Sequence, residues 1–211
     1  PSGKKAAPPA PPTDPLNHPD VQRGTYQLGQ LLRLVGFIAR PSSQSLLLSF
    51  TDEERPRPVR LAAIAALRRI VAAQESKGTD AAIARMIEFA DDDDGAIAHA
   101  AVDTLRGARI PEKLQKAFAA LVKSKHAGAQ RLAMERLPAG GGTGAVRALV
   151  DAIAGDDPSV RDAAARGLAK APEAVLPMVR ALVEATDEQV VRRYAGALRN
   201  LRGSMTGGAV S

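Results

Sequence analysis

The segment AVRALVDAIAGDDPSVRDAAARGL, residues 145–168, contains two apolar runs separated by the short polar turn GDDP. In its second half, Val160 stands eight residues before Leu168, and alanines fill the positions three and four residues after the valine. Apolar and small residues at these offsets share one face of an α-helix. The segment therefore predicts two helices that pack against each other across the turn.

The second half of this segment recurs along the chain, with an apolar anchor residue eight positions before a leucine. The pairs are Val59/Leu67, Ile97/Leu105, Ala129/Leu137, Val160/Leu168 and Val190/Leu198, with steps of 38, 32, 31 and 30 residues between successive leucines. A sixth, degenerate copy covers residues 20–29, where Gly29 stands in place of the leucine. Repeats of this length are typical of solenoid proteins.

A further helical run precedes every copy except the degenerate one. These runs are SQSLLLSF (43–50), AAIARMIEFA (81–90), KLQKAFAALVKS (113–124), GAVRALVDAIA (144–154) and PEAVLPMVRALVEA (172–185). No convincing alternation of period two interrupts them, so no strand is expected. One such hairpin cannot bury its apolar face alone, and stacking of hairpins forms the core. We therefore predict an all-α fold, an α-solenoid of about five to six helical hairpins.

The repeat unit resembles the HEAT family, in particular the short HEAT-like repeats of bacteria and of phycobilin lyases. The resemblance rests on the turn Asp156-Asp157, the pair Val160-Arg161, the alanines that follow and Leu168. Pro177, in a first helix, also fits the family, whose first helix is often bent by proline. The resemblance covers about residues 20–203, and it implies a concave surface, lined by the second helices, that holds a partner protein or, less often, nucleic acid.

The two ends of the chain differ in composition from the repeats. Residues 1–19 are rich in proline, which lacks a backbone donor and favours an extended chain, so we expect a linker or tether. Residues 204–211 are small and rich in glycine, and we expect a flexible tail. The repeat domain is thus predicted to span residues 20–203. Because the chain begins with Pro1 rather than Met, we expect a processed product or an excised piece, and the compartment is left open.

Four consecutive aspartates, Asp91 to Asp94, precede a helix that contains His99 and could be taken for a metal site. Their spacing argues against calcium, because a calcium loop with its glycine at Gly95 would begin at Ala90 and end at Ala101, and neither alanine is a ligand. A helix-capping aspartate that recurs in several repeats explains Asp94 better than a metal site does. One aspartate stands three residues before the anchor in three repeats, and a carboxylate there can accept bonds from the first N–H groups of the helix. The predicted caps are Asp94, Asp157 and Asp187, and Asp91 to Asp93 are expected to form a solvated turn.

Other candidates for chemistry are weak. The three histidines, His18, His99 and His126, are far apart in sequence and form no metal-binding motif, so we expect them to be solvated. The glycines of residues 139–145 precede a helix, but they lack the Lys-Ser or Lys-Thr ending of a phosphate loop. The chain has no cysteine, which excludes thiolate chemistry and disulfides. We predict no catalytic residue, no cofactor and no metal.

The formal net charge is +6, which suits an anionic partner, but the positive charge is divided into patches. Residues 21–75 carry eight basic and four acidic groups, and residues 76–110 carry four basic and seven acidic groups. On the second helices, the positions two, six and nine residues after each anchor are predicted to face outward. They include a broken row of arginines, namely Arg68, Arg106, Arg166, Arg192 and Arg199.

Opposite charges lie near this row at i and i+4 in the pairs His99/Asp103, Arg131/Glu135 and Asp162/Arg166. Such pairs stabilise a helix by about 0.2–0.5 kcal/mol, and they partly neutralise the row. A solvated face is therefore the simplest interpretation. If the row does bind a partner, its broken positive charge favours acidic protein segments over duplex nucleic acid, which rewards continuous positive charge.

These observations predict a non-catalytic HEAT-like scaffold for protein–protein interaction, either an accessory subunit or a domain of a larger protein. One alternative is a nucleic-acid-binding HEAT-like protein, although the chain has no Trp and only two Tyr residues for base stacking. A second alternative is a chromophore lyase subunit, which rests on the repeat resemblance alone. No run of apolar residues is long enough to span a membrane.

Overall fold

The computed structural model describes residues 18–136 and 142–206, and it confirms the all-α solenoid. No strand is present among the described residues. The helices are α1 (Pro19–Ile38), α2 (Gln44–Ser49), α3 (Arg57–Ala73), α4 (Asp80–Phe89), α5 (Gly95–Gly107), α6 (Gln115–Ala120), α7 (Ala127–Arg136), α8 (Gly142–Ala154), α9 (Pro158–Leu168), α10 (Val175–Glu184) and α11 (Glu188–Thr206).

Several sequence predictions concern residues outside the described ranges. Leu137, the outward position Pro138, all but two residues of the expected linker over 1–19 and the last five residues of the expected tail lie there. The helix α11 reaches Thr206, three residues into the segment predicted to be a tail. Within the described part of the chain, no helix is both long and apolar enough to cross a membrane.

Ten of the helices form five hairpins, each with a first helix and a second helix, from α2–α3 to α10–α11. The second helices pack in sequence, α3 on α5, α5 on α7 and α7 on α9, and α1 packs on α3. The last hairpin departs from this order, because α11 packs on α8 and α10. Each hairpin thus contacts its neighbours in the chain, as stacked repeats require.

The predicted anchors and leucines form the core between the two layers of helices. In the first, second and fourth hairpins both members of each pair are at most 6% exposed. In the last hairpin Val190 and Leu198 are only half-buried, because no further hairpin follows among the described residues. The 3.6-residue apolar pattern therefore predicts which face of each second helix is buried.

The degenerate first copy is a single long helix. The sequence pattern ends at Gly29, but α1 continues for nine more residues, to Ile38. Two glycines bring α1 close to α3, and a Cβ atom added to Gly36 would lie 2.4 Å from the Cα atom of Ala66. The glycine that replaces the repeat leucine, Gly29, is buried in the same interface. Absence of a side chain is therefore a packing requirement at Gly36, whereas a Cβ atom at Gly29 would make an ordinary contact of 3.7 Å with the Cβ atom of Ala62.

A second close approach joins α9 to α7. A Cβ atom added to Gly167 would lie 2.5 Å from the carbonyl oxygen of Met134. Alanines occupy the corresponding faces of the other second helices, for example Ala62 and Ala66 on α3, both fully buried. Small side chains at these positions set the spacing between stacked helices.

In three of the second helices, α3, α7 and α9, the residue after the anchor fastens the helix to the turn before it. Arg60 Nε donates to the carbonyl oxygen of Thr51 at 3.2 Å, and Arg161 donates to that of Gly155 at 2.9 Å. Gln130 occupies the same position in the third hairpin and donates to the carbonyl oxygen of Ser124 at 2.7 Å. The arginine of the repeated Val-Arg pair thus has a structural role, the fastening of the helix to its turn. The side-chain amide of glutamine can perform the same role.

Pro177 does not bend the interior of its helix. Residues Pro172–Ala174 form a short 3-10 turn, and α10 begins at Val175, which places Pro177 in the first turn. Proline is tolerated there because the N–H groups of the first turn have no partner within the helix. The proline therefore stands where the 3-10 turn passes into the α-helix, at the start of the first helix of this hairpin.

Leu168 is 1% exposed, and truncation should leave a cavity between stacked helices. We expect Leu168→Ala to lower the free energy of unfolding by about 2–5 kcal/mol, measured by urea denaturation. Leu46→Ala, at a residue that is 53% exposed, is the control and should cost much less. Equal losses for the two variants would contradict the assigned core.

Gly36→Ala should destabilise the protein, because the added methyl group meets backbone atoms of α3. Overpacking typically costs about 1–3 kcal/mol, which exceeds the gain of up to about 1 kcal/mol from the helix propensity of alanine. Gly24→Ala on the same helix meets no atom within 4 Å and should stabilise by up to about 1 kcal/mol. Thermal unfolding of the two variants measures the difference, and stabilisation by both would exclude the close α1–α3 contact.

Candidate partner-binding surface

The three aspartates predicted as caps lie at the starts of second helices. Asp94 accepts from the backbone N–H of Ala96 at 2.8 Å, and Asp157 accepts from that of Ser159 at 2.8 Å. Asp187 accepts from the N–H of Val190 at 3.0 Å. Pro158 follows Asp157 at the start of α9, where its missing donor costs nothing.

The neighbours of Asp94 are not a simple solvated turn. Asp92 accepts from Arg60 of the preceding hairpin at 3.1 Å. Asp91 accepts from the Ser124 hydroxyl of the following hairpin at 2.7 Å and from the N–H of Lys125 at 3.0 Å. Two ion pairs extend the set, between Asp94 and Arg57 and between Asp93 and Lys125. The aspartate turn, residues 91–94, therefore joins the first three hairpins, a role that the sequence prediction missed.

These contacts lower the pKa values of the carboxyl groups. The hydrogen bond from Arg57, together with the helix N–H groups, lowers the pKa of Asp94 to about 2. The Ser124 hydroxyl lowers the pKa of Asp91, and the Lys125 ammonium lowers that of Asp93. At Asp157 the side-chain and backbone donors of Ser159 lower the pKa. Each shift follows from a bond that holds a turn or a helix end in place.

Two of the three histidines are engaged rather than simply solvated. His126 Nε2 lies 2.6 Å from the carbonyl oxygen of Asp92, which adds a contact between the second and third hairpins. His18 caps α1, where its Nδ1 accepts from the N–H of Asp20 at 3.4 Å. His99 is exposed on α5. Over residues 18–136 and 142–206, no three His, Asp or Glu side chains are grouped to hold a metal ion.

The arginine row, defined as Arg68, Arg106, Arg166, Arg192 and Arg199, lies on the exposed face of the second helices, which we call the second-helix face. Four of the five arginines face a carboxylate on that surface. Asp103 is 4.0 Å from Arg68 and 3.9 Å from Arg106. The remaining pairs are Arg166–Glu135 at 2.9 Å and Arg192–Glu188 at 2.5 Å.

Only one of the three predicted pairs within a helix is present as expected. His99 Nε2 lies 3.6 Å from Asp103, an ion pair when the histidine is protonated. Glu135 instead contacts Arg166 on the next second helix, and Arg131 donates to the Ser159 hydroxyl at 2.8 Å. These side chains bond between helices because α7 and α9 are closely spaced, so that Arg131 and Glu135 of α7 reach partners on α9.

A groove of about 460 Å³ lies between α3 and α5 on the second-helix face. Ile64 is fully buried at its floor, and charged groups surround it. Its lining residues are Ile64, Ala65, Arg68, Arg69, His99, Ala100, Asp103 and Thr104. Two of these side chains, Arg68 and Arg69, are cationic, against the one carboxylate of Asp103. The groove combines an apolar floor with a positive rim.

An exposed aromatic ring extends this groove towards α1. Phe37 is 71% exposed, and the Arg69 guanidinium lies 5.6 Å from the centre of its ring. Because Arg69 also lines the groove, Phe37 and the groove form one continuous surface. The sequence prediction missed Phe37 because it ended the first helix at Gly29, although the apolar run LLRLVGFI over residues 31–38 was available as a signal.

The chain shares its fold, at low sequence identity, with solved helical-repeat structures. No protein-family model and no curated protein matches it. An engineered protein solved by the Northeast Structural Genomics Consortium is similar over 90% of this chain and 94% of its own, with 19% identity and a TM-score of 0.52. A designed armadillo repeat protein is similar over 88% of this chain and 96% of its own, with 21% identity and a TM-score of 0.52. A related design, in complex with the peptide (KR)4, covers the same shares with 17% identity and a TM-score of 0.53.

The protein is therefore an α-solenoid of the helical-repeat class, with a fold similar to armadillo repeats. The armadillo designs support the repeat architecture. The finer resemblance to HEAT and phycobilin-lyase-type repeats remains a prediction.

Because the pKa of Asp94 is lowered on folding, the free energy of unfolding should depend on pH in the acidic range. The carboxyl group ionises at about 2 when folded and near its ordinary 3.8 when unfolded, so its stabilising effect is present above about pH 4 and is lost as the pH falls towards 2. Asp94→Asn removes this group, and we expect a smaller loss of stability between about pH 5 and pH 2 in urea titrations. Asp162→Asn, at an exposed position of α9, is the control for the loss of one surface carboxylate.

Proposed function

We propose that the protein is a non-catalytic scaffold that binds an acidic segment of a partner protein on its second-helix face. The observation that carries the proposal is the continuous surface formed by the α3–α5 groove and Phe37. It offers a rim of guanidinium groups for carboxylates and an exposed ring for an apolar side chain. Arginine binds carboxylates with two parallel hydrogen bonds, and exposed aromatic and arginine residues are enriched at protein interfaces.

The ion pairs on this face do not prevent such binding. Arg68, Arg106 and Arg166 have side chains that are 60%, 68% and 60% exposed, and exposed ion pairs contribute about 0–1 kcal/mol each. A partner carboxylate can therefore replace the internal one at small cost. Arg199 is also exposed, and the contacts of the described residues include no carboxylate for it. The row thus keeps a positive excess that a partner can use.

The remaining carboxylates favour a protein segment over nucleic acid. Asp103, Glu135 and Glu188 interrupt the positive charge along the second-helix face. A phosphate backbone rewards an unbroken positive stripe, whereas a peptide can place its acidic residues beside the arginines and its neutral residues beside the carboxylates. The armadillo design with bound (KR)4 supports a peptide as the type of ligand, while the chemistry of this face calls for the opposite charge.

Two double variants test this proposal. Arg106→Glu with Arg199→Glu reverses charge on the second-helix face, and Arg147→Glu with Arg180→Glu reverses the same charge at exposed sites on first helices. The probe is a fluorescently labelled peptide of glutamate and leucine, followed by anisotropy and stopped-flow mixing. We expect the first variant to weaken binding by roughly tenfold, mainly through the association rate and with a lower salt dependence. The second variant should change binding little.

Three outcomes contradict the proposal. Equal effects of the two variants would show that peptide binding depends only on the net charge of the protein. Tighter binding of a lysine-rich peptide than of the acidic one would reverse the assigned charge preference. Tighter binding of a DNA duplex than of either peptide would favour the alternative of a nucleic-acid-binding protein. Circular dichroism of each variant checks that the fold is intact, because surface substitutions usually change stability by no more than about 0.5 kcal/mol.

A further inference from the structure

Beside the α3–α5 groove, three basic side chains converge on one carboxylate. One oxygen atom of Asp103 lies 3.6 Å from His99 Nε2 and 4.0 Å from Arg68, and the other lies 3.9 Å from Arg106. Each distance exceeds that of a hydrogen bond, so Asp103 attracts the three groups without bonding to any of them. The side chain of Asp103 is 33% exposed, whereas those of the basic residues are between 60% and 77% exposed. We call these four residues the Asp103 cluster.

The guanidinium donors at this cluster are not used within the protein. Arg68 and Arg106 donate no hydrogen bond to another described residue. Arg69, which also lines the groove, lies 5.6 Å from the centre of the Phe37 ring and forms no ion pair within residues 18–136 and 142–206. Three guanidinium groups that can still donate hydrogen bonds therefore lie around one groove.

Other arginines of the row already bond to a carboxylate. Arg166 donates to Glu135 at 2.9 Å, and Arg192 donates to Glu188 at 2.5 Å. Arg199 has no carboxylate beside it in the described part of the chain, but it stands apart from the groove on α11. On the second-helix face, the Asp103 cluster is thus where guanidinium groups with unused donors meet.

The charge around the groove matches that of a dianion. Three guanidinium groups, those of Arg68, Arg69 and Arg106, face the one carboxylate of Asp103, which leaves a net charge of +2 when His99 is neutral. A carboxylate ligand would bring one negative charge and two oxygen atoms. A phosphate monoester carries a charge of about −1.5 to −2 at pH 7 and has three acceptor oxygens, so it can bond to more than one guanidinium group at once.

We propose that the Asp103 cluster binds a phosphorylated side chain, a phosphoserine or phosphothreonine within the acidic segment of the partner protein. The inference rests on the proposed function, because it names the group in that segment which the groove prefers. Clusters of arginines are a recurring means of recognising phosphorylated segments. The phosphate accepts from Arg68 and Arg106, whose donors Asp103 leaves unbonded, and the exposed ring of Phe37 contacts an apolar residue of the same segment.

A single phosphate on a peptide suits this surface better than a nucleic acid does. A nucleic acid carries a phosphate at every nucleotide, and its affinity depends on many phosphate contacts along a positive stripe. On the helices that follow α5, such a chain would meet the carboxylates of Glu135 and Glu188. A phosphorylated peptide requires only one phosphate site, which the Asp103 cluster supplies.

Three fluorescently labelled peptides test the inference. They share one sequence of glutamate and leucine and differ only at the central position, which is serine, glutamate or phosphoserine. Anisotropy at about pH 7.5 measures their affinities for the 211-residue chain, because the phosphate is then mostly dianionic. We expect the phosphoserine peptide to bind roughly tenfold more tightly than the glutamate peptide, since it adds charge and further charge-assisted hydrogen bonds.

Variants of the cluster locate this preference. Arg68→Gln with Arg106→Gln should bring the ratio of phosphoserine to glutamate affinity close to one. Arg166→Gln is the control, because Arg166 is 60% exposed on the same face, as Arg68 is, and it should leave the ratio unchanged. Asp103→Asn removes a carboxylate that repels the ligand, so it should strengthen binding of the dianion more than binding of the carboxylate.

Four results would overturn the inference. Equal affinities of the phosphoserine and glutamate peptides would exclude the phosphate preference and leave the proposed binding of acidic segments intact. Failure of all three peptides to bind would contradict the proposed function itself. A ratio that falls as far in Arg166→Gln as in the double variant would place the phosphate elsewhere. Displacement of the phosphoserine peptide by an equal concentration of inorganic phosphate would show that the ion, rather than a peptide segment, is bound.

A second double variant keeps the test decisive if the first fails to give a wild-type circular dichroism spectrum. Arg68→Lys with Arg106→Lys retains both positive charges but removes the planar, forked donors of the guanidinium groups. The affinity ratio should still fall in this variant. A ratio that stays at the wild-type value would show that the arginines contribute charge alone and would contradict the proposed hydrogen bonds to phosphate.

Discussion

The close approach of neighbouring second helices is the constraint on which the structure depends. Gly36 lies against the backbone of Ala66, and Gly167 lies against the carbonyl oxygen of Met134. Helices at this distance leave no room for larger side chains between them, so the apolar contacts of the core come from the leucines and valines that face the first helices. The same spacing explains why charged groups on the second-helix face bond to the next helix, as Glu135 does to Arg166. A face built in this way presents arginines and carboxylates in rows that run across the helices.

The turns provide a second set of links between hairpins. The carboxylates of residues 91–94 contact Arg57 and Arg60 on one side and Ser124 and Lys125 on the other. Asp156 is 3.4 Å from Arg193 of the following hairpin. These contacts require ionised carboxyl groups, which is why the pKa values of Asp91, Asp93 and Asp94 are lowered. The aspartates of residues 91–94, which resemble a metal site in the sequence, therefore bind neighbouring hairpins and hold the repeats in register.

Local periodic features could be predicted from the sequence, and contacts between repeats could not. The anchor-to-leucine spacing identifies the second helices, and the aspartate three residues before the anchor marks where three of them begin. The actual partners of Asp91, Arg131 and Glu135 lie 28–33 residues away and depend on how the helices stack. Phe37 and the valines of α10 are apolar residues that a sequence pattern assigns to a core. Only the position of their helices in the array shows that they are exposed.

The arrangement of the hairpins has a mechanical consequence. Each hairpin is held by its neighbours in the chain, so a force that pulls the two ends apart acts on one interface after another rather than on a common core. The interfaces are unequal. The aspartate turn fastens the first three hairpins to each other by charged bonds, whereas the last hairpin lacks the regular packing of its second helix on α9. We therefore expect the interfaces along the array to open at different forces, so that a stretched chain lengthens in steps rather than in one event.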